Sequence, residues 1–479
     1  MRAALILLCL LPAFPAFAGG EESATRPQLV GVGRIASDAL DMQGETLGGM
    51  GSGMMLVPHS WRRVGKTFVA HLDLLPDRGW NTAGSVDYRA RVQKFDISLL
   101  PDYDAPGHEG QLTLALKKSL LLTDDKGMPT TGFDPVAVRP AAGAIPDLPV
   151  SADGRVSLDD EAIAPDGKDG FWIGDEYGPY VYRYNAQGRM IGALRPPEAF
   201  IPRRDGQENF SANSPPAGSA VDTGNPETGR QNNQGFEGMS VSPDGHTLFV
   251  VNQSALRQDL DAGNVAATRR NVRLLAYDIT ATPRLIHEYA LQLPLYEAGG
   301  KTNVAAQSEL LAIDDHRFLL LCRDSGGGLA SKRPASLYRK VVLVDVQGAT
   351  DIAGRYDDAA GSIAPNGILR GDIMPAAMAD FVDLNDNGQL GRFGLHNGAP
   401  ADAHDLYEKW ESLALAPAEQ PGEYILLVGS DNDFITQHGR MAGKAYADGS
   451  GANVDTLIMA WRVRIPEQSS AAGSAAHPR

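Results

Sequence analysis

Four glutamates in this chain stand at matching places, and each is followed at a similar distance by a knot of oxygen-bearing side chains. Glu161 precedes Asp175 and Glu176, Glu237 precedes Asn252 and Gln253, Glu309 precedes Arg323 and Asp324, and Glu411 precedes Asp431 and Asp433. The first three separations are 14, 15 and 15 residues, counted to Asp175, Asn252 and Asp324, and the fourth is 20 to Asp431. If the fold gathers these groups, like charges raise one another's pKa, and a bound cation removes that cost. Ligand sets made only of Asp, Glu and Asn oxygens favour calcium, with magnesium as the alternative, over zinc. The candidate metal ligands are therefore Glu161, Asp175, Glu176, Glu237, Glu309, Asp324, Glu411, Asp431 and Asp433. The competing reading has each glutamate bonded to the backbone of a neighbouring repeat or to a base such as Arg323.

Two further groups carry chemistry on type and spacing. Asp383, Asn385 and Asn387, followed by Gly388, match the first half of a calcium loop. The bidentate acid expected at its twelfth position is replaced by Gly394, so a plain Asx-rich turn is an equal reading. His438, Arg440 and Lys444 follow the last acidic knot and could meet an anion, against the ordinary reading of a solvated loop. No G-x-S-x-G elbow, P-loop, H-E-x-x-H or C-x-x-C is present, so those nucleophile, phosphate and zinc chemistries find no support.

The elements that would position these groups recur with them. Between each glutamate and its polar knot lie an apolar strand, a turn with Gly or Asp, and a second apolar strand. More strands follow, such as "YVYRYN" and "MIGALR", "RLLAYDI" and "LIHEYAL", or "KVVLVDV" and "TDIAGRY". Repeated units of four antiparallel strands spell an all-β fold, a β-propeller. A front unit, "GMGSGMMLV" to "LTLALKKSLLLT", has four strands but no heading glutamate. The last unit has three strands, and residues 28–35, "QLVGVGRI", can supply its fourth and close the ring, which removes an unpaired edge. The expected count is five blades. Six is the alternative if residues 357–408 hide another, and a β-sandwich with extra domains is the competing fold. The domain is expected over residues 26–466, with polar insertions near 124–154, 202–234 and 357–408. The second of these suggests a loop over one face, and the third a helix near residues 402–409.

The ends and the charge bound the function. Residues 1–18 read as a secretory signal, with Arg2, a short apolar run and Ala16-Phe17-Ala18, so a periplasmic or secreted location is expected. Residues 467–479 read as a flexible tail. Without the signal, 42 basic residues face 59 acidic ones, a net charge of −17. That surface argues against nucleic acid as a partner and suits cations and small anionic or ester substrates. No later stretch is apolar for long enough to insert stably in a membrane, and a monomer is expected. Cys322, in the apolar run 318–322, reads as a buried, inert thiol.

The segments "LDDEAIAPDGKDGFWIGDEYGPYVYRY", "NQGFEGMSVSPDGHTLFVVNQ", "SELLAIDDHRFLLLCRD" and "LLVGSDNDF" also resemble the phytase-like domain family, described as having esterase-like activity. The resemblance runs from about residue 44 to 465, and the first unit departs from it at "FVAHLDL", where Asp73 or Asp77 would substitute for the family's polar end. It implies an exported propeller that hydrolyses phosphate or carboxylic esters. On that reading Glu161 and Glu237 are catalytic, the acidic knots hold cations, and Arg323 neutralises a transferring phosphate. A lactonase or carboxylesterase with one central cation, and a binding propeller without activity, are the alternatives.

Overall fold

The computed structural model describes residues 26–466 apart from Ala144, residues 220–222, Asn264 and Lys332. The proposed signal and tail lie outside the described residues. Five four-stranded antiparallel sheets form the ring. Their inner strands are Gly53–Leu56, Asp160–Pro165, Phe236–Val241, Ala306–Ala312 and Trp410–Pro417, which define blades 1 to 5 in chain order. Each inner strand touches the next, and the fifth returns to the first, so the cycle closes at five. The fifth blade takes its outermost strand from the front of the chain, where Gln28–Ile35 pairs antiparallel with Thr456–Arg464. That exchange ties the two ends together and covers an edge that would otherwise expose unpaired N–H and C=O groups.

The apolar side chains explain why blades stack. Strands buried on both faces read as continuous apolar runs rather than alternating ones, as in Arg317–Arg323 and Trp410–Pro417. They fill five cores, one between each pair of neighbouring blades. Leu75, Val92, Ile163 and Tyr182 share one, and Ala162, Trp172, Met239 and Val250 the next. Phe249, Leu274, Leu320 and Val342 follow. Leu319, Val341, Trp410 and Trp461 come next, and Leu72, Phe95, Leu427 and Ile458 close the circle. A fully buried Leu or Phe contributes about 1.5–3 kcal/mol, so these cores are the main favourable term. Near the axis the strands crowd. A Cβ on Gly51 would lie 2.0 Å from the Ser430 carbonyl carbon, and one on Gly238 would lie 2.7 Å from the Leu310 nitrogen.

Two expectations need correction. The segment 351–356 is not the outer strand of blade 4. Asp351 bonds the Ala353 N–H, and Gly354 adopts φ +77°, which breaks the extension. The outer strand is Ala377–Asp383, from within the insertion that was the candidate sixth blade. The short helix of that insertion is Asn387–Leu390, capped by Asp386, and residues 402–409 are turns. Cys322 is free and fully buried, and burial pushes its thiol pKa up. No helix among the described residues is long and apolar enough to cross a membrane.

Candidate functional site

Strand register decides which side chains reach the channel mouth. In blade 2 the pairing passes from Ala162 with Gly174 to Asp160 with Asp175, leaving Glu161 as an extra residue. In blade 3 it passes from Gly238 with Val251 to Phe236 with Asn252, leaving Glu237. Glu411 is the extra residue in blade 5. Such bulges re-aim one side chain without breaking the strand. In blade 4 the extra residue is Ser308, not Glu309, because Glu309 already pairs with Leu321. Ser52 holds the corresponding place in blade 1, before Gly53 paired with Leu75. The bulge ring is therefore Ser52, Glu161, Glu237, Ser308 and Glu411. Glu309 lies one residue out of step, and its carboxyl accepts from the Met239 N–H at 3.2 Å and the Leu310 N–H at 2.8 Å. It is the blade-to-blade hydrogen bonder of the competing reading.

The same register sets a second ring at the ends of the neighbouring strands, formed by Asp77, Glu176, Gln253, Arg323 and Asp431. Three expected mouth residues instead close turns. Asp175 accepts from the N–H groups of Asp159, Tyr177 and Gly178 at 2.8, 3.2 and 3.0 Å. Burial still holds its carboxyl up at about 7. Asn252 accepts from the Arg273 N–H at 2.9 Å. Asp324 accepts from Gly326, Leu337 and Tyr338 at 3.1, 2.7 and 3.2 Å. Of the two substitutes in blade 1, Asp77 reaches the mouth, whereas Asp73 sits within its strand and pairs with Lys94.

The gathered carboxylates form three overlapping triplets, each with ligand oxygens within 4.8 Å of one another. The first is Asp77, Asp431 and Asp433, the second Asp77, Asp159 and Glu161, and the third Glu161, Glu176 and Glu237. Asp77 and Glu161 link them into a row. The first triplet contains its own cation. The Lys409 ammonium lies 2.7 Å from Asp433, 3.3 Å from Asp431, 3.5 Å from Asp77 and 3.8 Å from Glu411. The second contains Arg78, which pairs with Asp159 and reaches Asn233 of the 202–234 insertion. In the third the Gln253 amide donates to Glu237 Oε1 at 2.7 Å, and no base among the described residues forms an ion pair with its carboxylates. Glu176 Oε1 and Glu237 Oε2 are buried without a hydrogen-bond partner.

The titration follows this geometry. Burial and the carboxylates of Asp77, Glu237, Asp159 and Glu176 push Glu161 well above the usual range. Burial and Asp159 raise Glu176 to about 8, against Arg78 and Arg230. Burial, Glu176 and Glu411 raise Glu237 well above its usual value, against Arg323 and Gln253. Asp77 goes the other way. Burial opposes its charge, but Lys409 and Arg78 hold its carboxyl below the usual range. The donor set of the third triplet fits a hard divalent cation: oxygens only, buried, and short of positive charge.

Arg323 pairs with Glu411 and leaves its Nε without a partner. Asp383, Asn385 and Asn387 stand at the outer edge of blade 4. Asp383 accepts from the Asn385 N–H, Asn385 bonds Ser336, and Asn387 bonds Asn397, which makes the segment an Asx turn leading into a helix cap. His438, Arg440 and Lys444 are exposed on or beside a hairpin outside the ring. The functional residues missed in the sequence are Arg78, Asp159 and Lys409. The last two share one signal, since each lies two residues before a bulge glutamate.

Comparison with known proteins follows from this geometry. Residues 71–434 match the family described as "Phytase-like: Esterase-like activity of phytase". An "Uncharacterized secreted protein" of Arthroderma benhamiae is 41% identical over 452 residues, covering 86% of this chain and 87% of that protein. Among solved structures, a luciferin-regenerating enzyme is 11% identical, covers 89% of this chain and 95% of that chain, and has a TM-score of 0.29. A virginiamycin B lyase from Staphylococcus aureus is 6% identical, covers 91% and 99%, and has a TM-score of 0.28. Neither structural likeness is strong enough to carry an argument.

Proposed function

This chain belongs to the phytase-like family, and on that premise we propose that it is an exported, calcium-dependent ester hydrolase working at the channel mouth. The observation that carries the reading is the third triplet, where Glu161, Glu176 and Glu237 converge and two buried carboxylate oxygens have no partner. These three residues would hold calcium, with magnesium as the alternative. A divalent cation there would supply Lewis-acid polarisation of an ester oxygen and a water of lowered pKa. Gln253 orients Glu237, and Arg323 stands by with a free Nε to meet negative charge on the reacting group.

The leading substrate class is a small phosphate ester. A carboxylic ester or lactone is the second reading, favoured by charge. Lys409 and Arg78 are already engaged by carboxylates, so a highly phosphorylated substrate would find few free bases. Export is supported by the secreted relative. The chain would act as a monomer on a small substrate, without nucleic acid. The test is hydrolysis of p-nitrophenyl phosphate and p-nitrophenyl acetate, each with chelator or added calcium. Calcium-dependent turnover that Glu237→Gln abolishes supports the reading. Acetate hydrolysis alone selects the second substrate class. Turnover indifferent to chelator contradicts both.

A further inference from the structure

The row of three triplets treats equivalent positions oppositely. Two residues before the bulge, blade 2 carries Asp159 and blade 5 carries Lys409. The backbone carbonyl of Lys409 accepts from the Asp431 N–H at 2.8 Å, which fixes where its side chain starts. Four carboxylates surround its ammonium, more than its three protons can serve, and Glu411 Oε2 is left buried without a hydrogen bond. The side chain as a whole is 23% exposed. This is the environment of a divalent ion filled by a monovalent one. Asp77 lies between it and the third triplet.

We propose that Lys409 holds the place of a second divalent cation, so that the mouth binds one divalent ion at Glu161, Glu176 and Glu237 and would bind two without the lysine. The proposal rests on the metal reading above and adds the ion count and the residue that sets it. The carboxylates Asp77, Asp431, Asp433 and Glu411 all lie within 3.8 Å of the Lys409 ammonium. A second divalent ion would have to displace an ammonium fixed to its own strand. Arg78 closes the middle triplet in the same way, through Asp159.

The test is calorimetric titration of the purified chain with calcium chloride, comparing wild type, Lys409→Arg and Lys409→Gln. The expected counts are one ion for wild type, one for Lys409→Arg and two for Lys409→Gln. A wild type that takes two ions overturns the proposal, as does a folded Lys409→Gln that takes only one. A wild type that takes none overturns the metal reading itself, which separates the two failures. Should Lys409→Gln unfold in chelator, calcium is expected to restore its melting temperature, and no restoration at any calcium level counts against the proposal.

Discussion

The two sides of the channel mouth occupy equivalent positions and solve the same electrostatic problem differently. Where blades 5 and 1 meet, Asp77, Asp431, Asp433 and Glu411 surround the Lys409 ammonium. Where blades 2 and 3 meet, Glu161, Glu176 and Glu237 converge with the Gln253 amide on Glu237 and, among the described residues, no ion pair. The first side is neutralised from within the chain. The second leaves buried oxygens unpaired, a state that costs about 1–3 kcal/mol per neutral group and more for a charge. A propeller builds its mouth from one strand pattern repeated around an axis, so single bases, Lys409 in the first triplet and Arg78 in the second, are enough to close those sectors. The difference separates carboxylates neutralised within the chain from carboxylates with oxygens left without a partner.

The largest expected effect comes from breaking the open side. Glu237→Gln or Glu161→Gln should lower calcium-dependent turnover at least about 100-fold and abolish the rise in melting temperature with calcium. Enzyme assays and melts on the same preparations check this. Breaking the closed side should act on stability instead. In chelator, Lys409→Gln leaves its carboxylates uncompensated and should cost about 3 kcal/mol in urea unfolding, with calcium recovering much of it.

A pH series sharpens the comparison. Glu176 rises from its ordinary 4.5 to about 8 in the folded, metal-free protein. A carboxyl raised on folding holds its proton more tightly in the native state. Its stabilising contribution is thus complete below about pH 4.5 and declines as pH rises toward about 8. Chelator-treated wild type should therefore melt lower at pH 8 than at pH 6, and Glu176→Gln should flatten that slope. Calcium affinity should move the opposite way, rising with pH as the three carboxyls give up their protons. The smallest effect belongs to Glu309. Its carboxyl serves two backbone N–H groups and belongs to no triplet, so Glu309→Gln should cost less than about 1 kcal/mol and leave the calcium response intact.

Much of the fold was legible because its signals are local. Apolar runs, Gly and Asp turns and the lone strand Gln28–Ile35 gave five blades and the closure of the ring. The outer strand of blade 4 was hidden because "TDIAGRY" carries strand-forming residue types, while the decision lay with Gly354 and with a partner strand more than twenty residues further on. The site was legible in type but not in register. Glu161, Glu237 and Glu411 are bulge residues, and Glu309 looks the same in sequence yet pairs normally, one residue past the bulge at Ser308. A one-residue difference sends a strand side chain to another face. Asp175 and Asp324 were candidate ligands as well, but they lie one residue before and one residue after the ring positions, which Glu176 and Arg323 hold. Lys409 escaped notice because a lysine between Glu408 and Trp410 reads as an ordinary surface charge until the fold surrounds it.

The most direct measurement is anomalous diffraction from crystals of the mature chain grown with calcium. The account predicts a calcium peak bounded by the carboxylates of Glu161, Glu176 and Glu237, with Lys409 still in contact with Asp433. A peak among Asp77, Asp431 and Asp433 with Lys409 displaced, or no peak at the mouth while the three glutamates pair with protein groups, would contradict it.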